Sequence, residues 1–353
     1  MALTQPTALG GLTDVPGVLV GQFQRNSRGW RTGTTVAIFP SGATCGVDVR
    51  GGGPGTRETD LLRPENLVHE VHGICLSGGS AFGLASADGV MQWLEQRHIG
   101  YSVGPEAHQI VPIVPAAVIF DLGRGGTFAH RPTADFGNTA AARARRGPLK
   151  TGAVGAGIGA ISAGLQGGVG TAGHVLASGV VVSALAVVNS VGTVFNPTSG
   201  LPWEPNGFKL RRPVRTERLA LGQILHPPDD TPQSNVSRSL NTTIGIVATS
   251  AVLTKAECLK VAGVAHDGLA RAIRPAHTLF DGDTIFALAL GHDQLATTHE
   301  SGLHQPASRA AQLNEIAEAG AQCFATACTA ALLAARSVGG PPAYRDICPS
   351  AFA

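Results

Sequence analysis

The sequence predicts a layered α+β fold, and three observations lead there. Strand-like and helix-like segments come in runs rather than in strict alternation, which argues against a doubly wound parallel sheet. Hydrophobic residues make up 43% of the chain and charged residues only 14%, so much of it must be buried. The 47 glycines follow no Gly-X-Y period and cluster beside apolar runs, where they allow tight turns and close backbone packing. At 353 residues the length suggests two domains at ~150 residues each, but single α/β domains often exceed that figure. No internal repeat is visible.

The elements follow in order. Thr34–Pro40 and Thr44–Arg50 flank Ser41-Gly42-Ala43 and read as a hairpin. Gly51–Asp60 is a glycine-rich loop, and Ile74–Leu76 a short buried strand. Ser77–Ser80 leads into a helix to about His98, with Ser80 as its N-cap. Ala116–Leu122 reads as a strand and Thr133–Arg145 as a short alanine-rich helix. Gly152–Gly173 alternates small and apolar residues, and Val180–Asn189 is a strand buried on both faces. Pro197–Leu240 lacks a periodic core signal and is the best linker candidate. Thr243–Val252 and Thr284–Leu290 are strands; Lys255–Ile273 and the alanine-rich Ser308–Arg336 are helices.

Several function classes are excluded. Lys+Arg 26 against Asp+Glu 24 leaves a net charge of +2, with no footprint for nucleic acid or a membrane surface. Arg143–Arg146 and Arg211–Arg212 read as solvated loop charges. The longest apolar stretch, Val175–Val188, is interrupted by Ser178, Gly179 and Ser183 and falls short of the ~18 residues of a membrane span. Met1–Gly11 lacks signal-peptide character. Six scattered cysteines without C-x-x-C read as reduced thiols of a cytoplasmic protein. Gly168-Val-Gly170-Thr-Ala-Gly173 has the dinucleotide spacing but no preceding strand and no ribose-binding acid. Gly78-Gly79-Ser80-Ala81-Phe82 lacks the last glycine of a nucleophile elbow. His266 and His277 read as polar caps or packed rings, and Asp281-Gly282-Asp283 as a turn without the further ligands of a calcium loop. No metal or organic cofactor is implied.

One junction points to chemistry. Asn241-Thr242-Thr243 opens directly into an apolar, β-branched run, and on its own reads as a turn entering a strand. Threonine is a poor nucleophile, and one remedy is to make it the first residue, so that its own α-amine (pKa ~7.7–8.0) acts as the adjacent base. An internal threonine reaches that state only if its hydroxyl attacks the preceding carbonyl and the resulting ester is hydrolysed. Such chemistry needs oxyanion donors and a carboxylate to hold the amine and hydroxyl. Asp281 and Asp283 could supply carboxylates.

The chain resembles the P1/DmpA family of self-processing aminopeptidases and amidases (peptidase family S58), which includes the nylon-oligomer hydrolases. The resemblance rests on Asp14–Gly21, Asp48–Asp60, Leu76–Leu84, Val114–Asp121, Arg131–Gly137, Gly167–Thr171, Val187–Asn189, Asn241–Ile244 and Asp281–Thr284, in one order along most of the chain. It implies a four-layer αββα sandwich of the DmpA/ornithine-acetyltransferase-like type: one domain made of two autocleaved chains, an α chain of residues 1–241 and a β chain of residues 242–353. It implies cleavage between Asn241 and Thr242, with Thr242 as nucleophile, Asn189 as oxyanion donor, and Asp281 and Asp283 orienting the Thr242 amine and hydroxyl. The substrate would be a small peptide or ω-amino amide oligomer, and the assembly a homo-oligomer of αβ units, a tetramer or larger. Two positions depart from the pattern. Gln166 stands where the family often has lysine before Gly167-Gly168, and Phe120 where the aminopeptidase branch has a tyrosine near the substrate. Two other readings share the pattern: an acyltransferase of the ornithine acetyltransferase type, and an uncleaved, non-catalytic homologue.

Overall fold

The computed structural model describes residues 10–205, 207–226, 241–295 and 308–352. Nine strands form one connected system: β1 (Leu19–Arg25), β2 (Thr32–Val49), β3 (Thr56–Arg57), β4 (Val71–Ser77), β5 (Ala116–Val118), β6 (Gly168–Val175), β7 (Val181–Asn189), β8 (Thr242–Ala251) and β9 (Thr284–Asp293). Their order is β6-β7-β8-β9-β2-β4-β5-β3, with β1 also paired to β2. The β8/β9 and β4/β5 pairs are parallel and the others antiparallel.

The expected hairpin at Ser41-Gly42-Ala43 does not form. Both halves belong to β2, whose register with β4 breaks between Ile38 and Ala43, where Gly42 has φ 76°. The first half pairs with β1 and β4, the second with β9. With partners waiting on both sides, a bent strand satisfies more backbone groups than one folded back on itself. The bend divides the strands into two sheets that share β2.

Side-chain alternation then builds three cores. Leu185 and Val187 of β7, Ile244 and Ile246 of β8, and Phe286 and Leu288 of β9 meet Ala37, Phe39, Ile74 and Leu76 between the sheets. The opposite faces carry Ala184, Ala186, Val188, Val247, Ile285 and Ala287. These pack under helices Lys255–Ala272 and Arg309–Ala334. On the far side Val36, Ile38 and Cys75 lie under α1 (Ser86–Glu95) and α2 (Ala134–Ala142). The layers are therefore helix, sheet, sheet, helix, the αββα sandwich expected. Small residues permit the tight packing: a Cβ on Gly170 of β6 would run into the Ala327 carbonyl.

The linker candidate is in part structured, since it contains α3 (Arg215–Leu225), whose Leu221 and Leu225 are buried in the same core as β7. Residues 227–240 lie outside the described part. The remaining helices are α4 (Lys255–Ala272) and α5 (Arg309–Ala334). Thr254 and Glu257 form a capping box on α4. Arg309 of α5 pairs with Glu257 at 2.7 Å. Among the described residues α5 alone is long and apolar enough to cross a membrane, but 78% of its most apolar window is buried in the fold. The six cysteines are free and buried. The GxGxxG spacing lies inside β6, not at a strand-to-helix turn.

Candidate active site

All ten residues of β8 are buried, and Thr242 is the first of them. Antiparallel pairing sets Asn189, the last residue of β7, opposite Thr242. Parallel pairing aligns Ile244 with Thr284, so the Asp281-Gly282-Asp283 turn before β9 lies beside the entry to β8, and Asn241 bridges to Asp281. Three neighbouring strand ends thus bring together Asn189, Asn241, Thr242, Asp281 and Asp283, which are distant in sequence.

The Asn241–Thr242 peptide is held from several sides. The Asn241 N–H donates to the Phe280 carbonyl at 2.9 Å. The Asn241 carbonyl accepts the Gly282 N–H at 3.0 Å and the Thr242 hydroxyl on the same oxygen. Gly282 sits so close that a Cβ there would lie 2.8 Å from Thr242 Oγ1. The glycine-rich loop packs over this turn: Gly53 N–H donates to the Asp281 carbonyl at 2.9 Å and Arg50 N–H to the Asp283 carbonyl at 3.0 Å. A Cβ on Gly51 would overlap the Asp281 backbone.

Both aspartates are buried and fully engaged. Asp283 accepts the Thr243 N–H at 2.8 Å on one oxygen; its other oxygen takes the His277 N–H at 3.1 Å and His277 Nδ1 at 2.8 Å. Asp281 accepts the Thr278 hydroxyl at 2.6 Å and the Thr278 N–H at 3.1 Å, with the Val191 N–H at 3.4 Å on its second oxygen. Burial and the nearby Asp283 charge raise the Asp281 carboxyl above its ordinary range. In the unbroken chain neither carboxylate bonds Thr242; Asp283 instead grips the amide of the next residue. His277 belongs to this cluster as a hydrogen-bond partner of Asp283. Its ring meets His266 edge-on at 4.9 Å, and burial pushes His266 down to about 4.

Asn189 is fully buried. Its Oδ1 accepts the Ile161 N–H at 3.0 Å and the Arg124 guanidinium. Both partners are donors, which identifies that atom as oxygen. The Nδ2 is left buried with no hydrogen-bond partner among the described residues. Gln166 is also fully buried, and its polar atoms are engaged away from Thr242. Its Nε2 donates to the carbonyls of Ala160 at 3.0 Å and Gly167 at 3.1 Å, while its Oε1 accepts Arg31. Sequence reasoning gave no role to Arg31, Arg124 or Asp121 and read His277 only as a cap or packed ring, since isolated charged residues in glycine-rich or turn segments announce no partners. Burial raises Asp121 to about 6, despite the Gly79 N–H at 2.6 Å and both arginines nearby.

A cleft of about 100 Å³ opens onto Thr242, lined by Gly53, Pro54, Gly55, Ser80, Ala81, Val118 and Phe120, none of them charged. Ser80 is not an N-cap. It is itself the first residue of a 3₁₀ turn, Ser80–Ala85, with φ 51° and no side-chain capping bond. The α-helix begins only at Ser86 and ends at Glu95, short of His98. Among the described residues no group of three or more His, Cys, Asp or Glu could hold a metal.

A double sheet between helical layers, with the site at the ends of its central strands, is an architecture this chain shares with proteins of the N-terminal-nucleophile hydrolase fold. The L-aminopeptidase D-Ala-esterase/amidase of Ochrobactrum anthropi, described as a variant of that fold, superposes with a TM-score of 0.69 over 99% of this chain and 91% of its own, at 21% identity. Residues 10–344 match the profile of Peptidase family S58, and the chain belongs to that family of amide hydrolases. An uncharacterized aminopeptidase of Mycobacterium bovis is 47% identical over 98% of this chain and 99% of its own. A 6-aminohexanoate-oligomer endohydrolase of Kocuria sp. is 30% identical over 86% of this chain and 81% of its own.

Proposed function

We propose that the chain is a self-processing amide hydrolase that splits between Asn241 and Thr242 and then works through Thr242 as its N-terminal nucleophile. The observation that carries this reading is the Asn241 carbonyl, which receives the Thr242 hydroxyl and the Gly282 N–H together at the entry of a buried strand. Attack of Oγ1 on the Asn241 carbonyl carbon forms a C–O bond and loses the hydroxyl proton. As the oxygen becomes anionic, Thr242 can no longer donate to it, and the unpaired Asn189 Nδ2–H fills the vacated place beside Gly282. The C–N bond then breaks, the Thr242 nitrogen takes up a proton, and water hydrolyses the ester to free the Asn241 carboxylate. Two chains result, residues 1–241 and 242–353.

In turnover the freed amine takes the Oγ1 proton, Thr242 is acylated, the amine leaving group is protonated and departs, and water releases the acyl group. Asp281 and Asp283, one on either side of Gly282, orient the new amine once the peptide bond is gone. The substrate is a small peptide or an ω-amino amide oligomer, the latter as in the name of the Kocuria relative, and its scissile amide reaches Thr242 through the uncharged cleft. The αβ units assemble as a homo-oligomer in the cytoplasm, a setting that suits six unpaired, buried thiols. Thr242→Ala should leave the chain whole and inactive on amide substrates, and Thr242→Ser should still split. Splitting at the same bond by the alanine variant would remove Thr242 from the role.

A further inference from the structure

The buried side chains of Arg31 and Gln166 and the partly buried Arg124 converge on the turn of residues 158–161. Arg31 Nε donates to the Ile158 carbonyl at 3.3 Å, Arg124 Nη1 to the Gly159 carbonyl at 2.8 Å and Gln166 Nε2 to the Ala160 carbonyl at 3.0 Å. With those carbonyls held, the Ile161 N–H is free to face Asn189 Oδ1 at 3.0 Å. The same Nη1 of Arg124 that holds Gly159 also donates to Asn189 Oδ1.

We propose that Arg124 is a positioning residue that fixes and polarises the Asn189 amide for the oxyanion formed at Thr242. The proposal rests on the nucleophile reading above. Two donors on Oδ1, one of them cationic, draw electron density from the amide and make Nδ2–H a stronger donor. They also lock the flip of the side chain, so that nitrogen, not oxygen, is the atom left unpaired. Even a partly buried guanidinium is unfavourable unless its charge is used or paired. Among the described residues no carboxylate lies within ion-pair distance of Arg124. The Asp121 carboxylate acts on it from beyond ion-pair distance, and its direct side-chain hydrogen bonds go to the Gly159 carbonyl and to Asn189, on the strand opposite Thr242.

The test is a double-mutant cycle on self-cleavage, followed by denaturing gel on the full chain made by pulse-labelled cell-free synthesis. Arg124→Gln should slow splitting about 10- to 100-fold, and Arg124→Lys, which keeps the charge but not the planar fork, by at least about 3-fold. In an Asn189→Ala background both changes should have less than about a 2-fold effect, because the group through which Arg124 acts is gone. A wild-type rate in Arg124→Gln, or equal slowing in both backgrounds, overturns the inference. If Arg124→Gln fails to fold on a native gel, Arg124→Lys decides. A wild-type rate, or slowing that persists without Asn189, overturns the proposal; slowing that vanishes supports it. Thr242→Ala run alongside separates the two readings. Splitting there defeats the nucleophile assignment, whereas an uncut Thr242→Ala chain with an uncoupled cycle defeats the Arg124 inference alone.

Discussion

Replacing Gly282 with alanine perturbs the candidate site through one methyl group. The new Cβ would lie 2.7 Å from the Gly53 carbonyl oxygen, 2.8 Å from Thr242 Oγ1 and 3.1 Å from Pro54 Cα. Two of these separations are shorter than carbon tolerates, and two of the three neighbours are backbone, so the Thr242 hydroxyl is the group that can yield most readily. Overpacking of this kind costs about 1–3 kcal/mol, equivalent for a chain of this length to a Tm lower by about 1–4 °C. The kinetic loss should be larger in proportion. Displacing a reacting group by about 1 Å can cost ~10²-fold, so a shift of several tenths of an ångström should slow self-cleavage about 10- to 100-fold. Gly282 does not have a positive φ, so alanine introduces bulk without backbone strain. The assay is the first-order appearance of two fragments on a denaturing gel, with thermal melting of the same preparation. Splitting by Gly282→Ala within about 2-fold of the wild type, with the expected drop in Tm, would refute the claim that the hydroxyl must sit against the Asn241 carbonyl.

Further outcomes follow from the same geometry. His266 is held neutral by burial, from 6.5 down to about 4, so the stability it contributes is complete above 6.5 and is lost as pH falls toward 4. Its size is on the order of 3 kcal/mol at ~1.4 kcal/mol per unit, and urea unfolding across that window should lose this slope in His266→Gln. Asp281 has the opposite sign: its raised carboxyl favours the protonated form, so its contribution is complete below the ordinary carboxyl range and is lost as pH rises through the raised value. Asp281→Asn should flatten that part of the stability profile; an unchanged slope would assign it to another group. Gln166→Leu removes the amide bonded to Ala160, Gly167 and Arg31, and should cost about 2–4 kcal/mol in urea unfolding through stranded buried partners. A Gln166→Leu protein of wild-type stability would contradict that structural role.

Much of the layered fold was legible because its cores rest on alternation that a linear pattern displays, as in Leu185 and Val187 against Ala184, Ala186 and Val188. The bend of β2 was not legible. Ser41-Gly42-Ala43 signals a change of direction equally well for a hairpin or a bend, and the choice depends on β4 and β9, which lie far along the chain. At the candidate site, Thr242, Asn189, Asp281 and Asp283 came from resemblance, and strand register brings them together. Arg124 and His277 became visible only with burial and partners, since neither stands in a spacing that announces its contacts. Gln166, marked as a departure from the family pattern, holds the backbone around the Ile158–Gly167 segment rather than facing Thr242.

The central claim is tested most directly by the intact mass of the wild-type protein under denaturing conditions. The account predicts two species, residues 1–241 and 242–353, whose masses sum to the 36.0 kDa chain plus one water, with threonine at the new N-terminus. A single species of 36.0 kDa in protein that hydrolyses amides would contradict it.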